Sequence, residues 1–128
     1  MPYPIFLVED DPKLQLTLKD AISTLCEAEV VGVAETEAHA VSWLNGHPSG
    51  WQLTMLDLFL KIGTGFGVLE KLSSAARRRV IVLTNSASDE NRKRCLSMGV
   101  LAVYDKTNEL EHFLDHCHRH QSARACGS

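Results

Sequence analysis

Ile5-Phe6-Leu7-Val8-Glu9-Asp10-Asp11 (residues 5–11) sets a four-residue apolar run directly against three consecutive acids. The same kind of junction recurs three times: Leu53 to Leu56 before Asp57, Val80 to Leu83 before Thr84, and Ala102 to Tyr104 before Asp105 and Lys106. Short apolar runs bounded by polar residues read as buried parallel strands. In an open α/β sheet, ligands sit in the crevice outside the carboxyl ends of the strands. The residues that close the four runs are therefore predicted to meet in one pocket.

The segments between the runs read as helices. Asp11 can cap a helix whose first turn holds Pro12, a position where no backbone donor is needed. Leu14, Leu18, Ala21, Ile22 and Leu25 follow at helical spacing, so the first helix is predicted over Pro12 to Cys26 with one apolar face. Val30 to Ala34 is β-branched and reads as a second strand. Thr36 caps a helix that reaches Leu44, where Asn45, Gly46, Pro48 and Gly50 stop it. Gly63 and Gly65 make the segment after Asp57 a loop, and a third helix is expected over about Phe66 to Ser74. Ser88 or Asp89 starts a fourth helix that Gly99 ends. From Asn108 a fifth shows Leu110, Phe113, Leu114 and Cys117 on one stripe.

Strict β–α alternation implies a parallel sheet with helices on both faces and right-handed crossovers. The expected architecture is α/β, a flavodoxin-like three-layer αβα fold with a five-stranded parallel sheet in order 2-1-3-4-5 and five helices. One domain, residues 1–120, is expected, followed by a polar tail over 121–128. A chain of 128 residues is long enough to bury a substantial core on its own.

Composition excludes several function classes. A formal net charge of -3 gives no footprint for direct nucleic-acid binding. The apolar stretches are strand length, well short of the roughly 20 residues that cross a bilayer. Met1 to Ile5 lacks a basic segment followed by an apolar signal core, which points to a cytoplasmic address. Cys26, Cys95, Cys117 and Cys126 show no CxxC pairing and read as free thiols.

Glu9, Asp10 and Asp11, gathered with Asp57, would crowd carboxylates around one crevice. Such a set either raises its own pKa values or holds a hard cation, and an all-oxygen set suits Mg²⁺. Magnesium takes only one or two protein carboxylates, so not every acid can be a direct ligand. A carboxylate ending a buried strand also needs charge compensation, which Lys106 and a metal can supply. Asp57 can act as a nucleophile toward phosphorus, with the Thr84 hydroxyl and the Lys106 charge addressing phosphoryl oxygens.

Taken together, FLVEDDP (6–12), TMLDLFLKIGTGFGVLEKL (54–72), VIVLTNSAS (80–88) and SMGVLAVYDKT (97–107) resemble the receiver domain of bacterial two-component response regulators, from Ile5 to about His118. The resemblance implies that Asp57 accepts a phosphoryl group from a sensor histidine kinase or phosphotransfer protein, with Mg²⁺ as cofactor. Glu9 and Asp10 become the acidic pair, Asp10 the direct ligand and Asp11 the helix cap. The Phe59 backbone carbonyl completes the metal shell, Thr84 bonds the phosphoryl group and Lys106 pairs with it. Such a protein catalyses at most its own phosphorylation and dephosphorylation. It signals to a downstream protein, or forms a homodimer, through the face made by the fourth helix, fifth strand and fifth helix.

This chain departs from the family pattern in places. Lys61 stands where many receivers have proline, and Thr107 follows Lys106 where proline is common. The switch position three before the lysine holds Val103, with the aromatic Tyr104 one residue later. Strand alternation turns such neighbours to opposite faces. Phe59, Asn85 and Ser86 occupy positions that tune hydrolysis, and shielding by Phe59 predicts slow self-dephosphorylation. Two other readings are weighed. A docking module without switching would keep the fold, whereas an aspartyl-nucleophile phosphatase or hydrolase needs a second acid two residues after Asp57, where Phe59 stands.

Two further clusters carry charge. His112, His116, His118 and His120 include a one-turn pair with zinc-binding spacing, but a helix end favours histidine through its dipole alone. Arg77 to Arg79 and Arg92 to Arg94 read as solvated surface, with the second cluster a candidate partner contact.

Overall fold

The computed structural model describes residues 3–25, 28–85 and 87–106. Five parallel strands, β1 (Tyr3–Val8), β2 (Ala28–Ala34), β3 (Leu53–Leu56), β4 (Val80–Thr84) and β5 (Ala102–Asp105), form one sheet in the order β2-β1-β3-β4-β5. Five helices are described: α1 (Pro12–Leu25), α2 (Glu37–Gly46), α3 (Gly65–Glu70), α4 (Ser74–Arg77) and α5 (Asp89–Ser97). The flavodoxin-like expectation holds in strand count, direction and order. The helix expected from Asn108 lies outside the described residues, as do the four histidines of that helix and its exit.

Both faces of the central strands are covered, which is why β1, β3 and β4 are buried almost throughout, while the edge strand β2 exposes Glu29 and Val31. Ile5, Leu7, Leu53, Met55, Ile81 and Leu83 pack with Leu18 and Ile22 of α1. Phe6, Val8, Leu56, Val80 and Val82 face the other way, against Ala40 and Leu44 of α2, Phe66, Val68 and Leu69 of α3, Ala76 of α4 and Cys95 of α5. Each fully buried aliphatic side chain contributes about 1.5–3 kcal/mol by leaving water. The period of two along each strand thus decides which helix it meets.

Caps fix the helix starts. Asp11 Oδ1 accepts from Lys13 N at 3.0 Å and its carbonyl from Gln15 N at 3.0 Å, with Pro12 between them as the first helical residue. Thr36 caps α2 by accepting from His39 N, and Ser88 caps α5 by accepting from Asn91 N. Gly99, at φ 94°, takes the left-handed conformation past the end of α5.

Several boundaries differ from the sequence reading, β1 beginning at Tyr3 rather than Ile5 and β2 at Ala28 rather than Val30. α2 runs through Asn45 and Gly46 before His47 N turns back to Leu44 O. The single helix expected over 66–74 is two: Lys71 N and Leu72 N bond three residues back, to Val68 O and Leu69 O, which tightens and closes α3. Ser73 then caps α4 by accepting from Ala76 N. Local capping at Ser73 outcompetes continuation of a helix that two glycines already weaken.

Candidate acidic phosphoryl site

Register brings the strand ends together. Val8 pairs with Leu56 and Leu56 with Val82, so Glu9 and Asp57 leave the sheet side by side and Thr84 follows on the next strand. Asp57 N donates to Val8 O at 3.1 Å, and Glu9 N to Ala34 O at 2.9 Å. On the far side of β4, Lys106 N donates to Thr84 O at 3.1 Å, which returns the lysine to the same edge. Glu9 is 0 % exposed, Thr84 1 % and Asp57 5 %, so the pocket floor is desolvated.

Lys106 is the cation of this floor. Its Nζ lies 2.5 Å from Glu9 Oε1 and 2.7 Å from Asp57 Oδ2. Burial alone would depress the ammonium's pKa, but its contacts with Asp57 and Glu9 outweigh it and hold the group above its ordinary value. Glu9 moves in the opposite sense to a salt-bridged acid. Desolvation raises its pKa, and the Lys106 contact and the Asp11 amide offset that only in part. A carboxylate and an ammonium so placed attract strongly, yet the desolvation cost of both remains.

Glu9, Asp10 and Asp57 each offer one carboxylate oxygen, all within 4.8 Å of one another. Among the described residues, Lys106 pairs with two of these three acids. Glu9 Oε1 is buried beside Lys106 Nζ but has no aligned hydrogen-bond donor, while Oε2 accepts from Asp11 N at 3.0 Å. An incompletely satisfied, buried oxygen within an all-oxygen donor set fits a small hard cation. Asp11 stands outside this group, its Oδ1 engaged at the start of α1.

The loop after Asp57 closes the pocket from the side. Phe59 N approaches Asp57 Oδ1 at 3.3 Å, and Lys61 N donates to Asp10 Oδ2 at 2.6 Å. The Phe59 ring stands edge-on to Phe66, with centroids 6.2 Å apart, and is 49 % exposed. This segment is bonded along its length. Thr36 bridges Ile62, Phe59 bridges Thr64, and Gly65 N donates to Leu58 O at 2.7 Å.

Val103 and Tyr104 separate as alternation predicts. Val103 pairs with Val82 and is buried in the cluster of that face, on which Thr84 also lies two residues beyond Val82. Tyr104 pairs with Leu83 and packs against the opposite cluster. The aromatic of β5 and the Thr84 side chain thus occupy different faces of the sheet. Asn85 is exposed at the mouth, while Ser86 and Thr107 lie outside the described residues.

Gln15 and Glu37 bear on the pocket without being singled out by sequence, and Arg92, read there as solvated surface, bears on it too. Gln15 Nε2 donates to Glu9 O at 2.6 Å and to Glu35 Oε1 at 3.1 Å. Arg92 donates from Nε to Ala87 O and from Nη1 to Val103 O, at 3.2 and 2.8 Å, tying α5 to β5 beside the switch position. Glu37 accepts from Thr64 N at 3.0 Å. Arg94 lies 3.9 Å above the Phe66 ring, so two members of the second basic cluster are engaged within the domain rather than simply solvated. The first cluster behaves likewise. Arg77 Nε donates to Leu69 O and Arg79 stacks on Trp51.

Comparison with known proteins agrees with this arrangement. Residues 5–118 match the family model for the response regulator receiver domain. The chain is 29% identical over 121 residues to the transcriptional regulatory protein CitB of Klebsiella pneumoniae, covering 91% of this chain and 51% of that protein. It therefore spans about half the length of this curated relative. Among solved structures, the non-phosphorylated HemR receiver domain of Leptospira biflexa is 29% identical with a TM-score of 0.76, over 91% of this chain and 92% of that one. The Mn(2+)-bound form of response regulator Rcp1 shares the fold at 22% identity and a TM-score of 0.73, over 91% of this chain and 90% of that one. With a family match across residues 5–118, the chain belongs to the response regulator receiver domain family.

Proposed function

We propose that Asp57 accepts a phosphoryl group from a phosphohistidine of a sensor kinase or phosphotransfer protein. The convergence of Glu9, Asp10, Asp57 and Lys106 at adjacent strand ends is the observation that carries this reading. A carboxylate oxygen of Asp57 attacks phosphorus as the phosphorus–nitrogen bond breaks. The bonding pair leaves with the imidazole, which takes up a proton. Lys106, already within reach of Asp57, follows the new negative charge, and the buried Thr84 hydroxyl donates to a phosphoryl oxygen.

Asp10 and Asp57, together with Glu9 and with the Phe59 backbone carbonyl as the expected further ligand, would hold Mg²⁺, and the Mn(2+)-bound form of Rcp1 supports a divalent ion in this fold. When bound, that ion supplies charge neutralisation to the phosphoryl oxygens. The protein's own residues position the nucleophile and exclude competing charge. Catalysis by this chain is confined to its own phosphorylation and dephosphorylation.

The added charge redistributes Thr84 and Lys106 and alters a protein-binding face. Exposed Leu96 and Leu101, at the end of α5 and the approach to β5, support a protein contact on that side, with a downstream target or a second copy of the chain. The receiver extends over residues 1–120, with 121–128 as a tail, and acts in the cytoplasm where its phosphoryl donor is presented. Intact-mass measurement after incubation with acetyl phosphate tests the chemistry. One phosphoryl group should be gained with Mg²⁺ and none with EDTA, and uptake that ignores the metal would count against the proposal.

A further inference from the structure

Glu37 is the first residue of α2, yet two of its polar groups bond the loop that follows Asp57 and a third reaches the end of α3. Its N–H donates to Ile62 O at 3.2 Å, its Oε1 accepts from Thr64 N at 3.0 Å, and its Oε2 accepts from Lys71 Nζ at 2.9 Å. The surroundings are cut to fit this side chain. Gly63 takes φ 88°, and a Cβ built there would run into Glu37 Cβ. A Cβ at Gly67 would collide with the Glu37 carboxylate itself. Two glycines therefore leave the volume that one carboxylate fills, and a third, Gly65, lets α3 start against the Asp57 carbonyl.

The loop so gripped is the one that reaches into the acidic pocket. Between Leu58 and Thr64 it presents Phe59 N to Asp57 and Lys61 N to Asp10. Thr64 is also the N-cap of α3, its hydroxyl accepting from Gly67 N. The Glu37 carboxylate thus takes the backbone N–H of the residue whose side chain starts the next helix. The hydrogen bond from Thr64 is the chief reason that Glu37 sits below the usual carboxylate range, with Lys71 adding to it.

We propose that Glu37 is a positioning residue for the acidic pocket: by clamping Ile62 and Thr64 it sets the loop that orients Asp10 and the Phe59 backbone. This rests on the receiver reading of the pocket and adds to it a residue of α2 that touches neither phosphate nor metal. Its effect is felt through the Lys61 amide, which holds the Asp10 carboxylate.

The test is Mg²⁺ binding by calorimetry on wild type, Glu37→Asp, Glu37→Gln and Lys71→Met, with the thermal midpoint of each measured without metal. Aspartate keeps the charge but is one methylene short of Thr64, so its Mg²⁺ dissociation constant should rise about five-fold, in the manner of outer-shell substitutions. Glutamine keeps an oxygen for the Thr64 amide and should restore binding to within about two-fold, as should Lys71→Met, which leaves that bond intact. A folded Glu37→Asp with wild-type Mg²⁺ affinity overturns the proposal, including where its thermal midpoint has fallen. Failure of the wild type to bind Mg²⁺ would instead overturn the receiver reading and this proposal together.

Discussion

Lys106 Nζ and Asp57 Oδ2 stand 2.7 Å apart at the ends of strands β5 and β3, with β4 between them. That pair explains how a carboxylate survives in a nearly dry pocket, because the ammonium compensates its charge before any ligand arrives. It also divides the lysine between two acids, since Glu9 is within 2.5 Å of the same nitrogen.

Removing the cation should therefore expose the cost of the acids. Lys106→Met leaves Glu9 and Asp57 buried without their shared partner and is expected to destabilise the fold by about 3 kcal/mol in metal-free buffer. Urea denaturation measures it, and Mg²⁺ at saturating concentration should recover part of the loss by binding only the folded form. Equal stability of variant and wild type would deny Lys106 this role.

Phe59→Ala addresses the lifetime of the phosphoryl group. The ring stands over the loop beside Asp57 and against Phe66, so its removal should open a path for water and shorten the acyl phosphate half-life several-fold. Decay of the phosphorylated mass after removal of donor reports this, and an unchanged half-life removes Phe59 from the explanation.

A core substitution separates stability from site chemistry. Leu18 of α1 is fully buried against β1 and β3, remote from the strand ends. Leu18→Ala should cost about 2–5 kcal/mol. Mg²⁺ affinity of the folded protein should stay within experimental error of wild type.

Glu37 supplies a pH signature. Its carboxyl group is held below the usual range by Thr64 and then Lys71, so its contribution is present above the unfolded value of about 4.5 and is lost as pH falls through the lower folded one. The thermal-midpoint difference between wild type and Glu37→Gln should be constant from neutrality to about pH 5 and should close below that. A gap that widens on acidification would contradict the assignment.

Much of this pocket was legible because it depends on short-range signals. Apolar runs ending at Val8, Leu56, Leu83 and Tyr104 locate strands within a residue or so of their observed ends, and parallel topology does the rest. Asp11, Thr36 and Ser88 are capping residues whose chemistry is local, and each caps a helix as its type suggests. What stayed hidden depends on approach in space. Glu37 and Thr64 are 27 residues apart, and no periodicity announces that one carboxylate will fill the room left by Gly63 and Gly67. The recurrence of glycine at 63, 65 and 67 is the available signal, but in sequence a glycine marks a loop without saying which side chain fills the space it leaves. Arg92 and Arg94 looked solvated because sequence reports their charge but not the Val103 carbonyl or the Phe66 face they reach. The break between α3 and α4 was missed because the Ser73 cap competes with helix continuation over a single turn.

The central claim is that Asp57 is the phosphoryl acceptor, and borohydride trapping tests it most directly. After treatment with acetyl phosphate and Mg²⁺, reduction of the acyl phosphate followed by peptide mass mapping should place the reduced residue at Asp57 alone, with no trapping in Asp57→Asn. Reduction at Glu9, Asp10 or another acid, or undiminished trapping in Asp57→Asn, would contradict it.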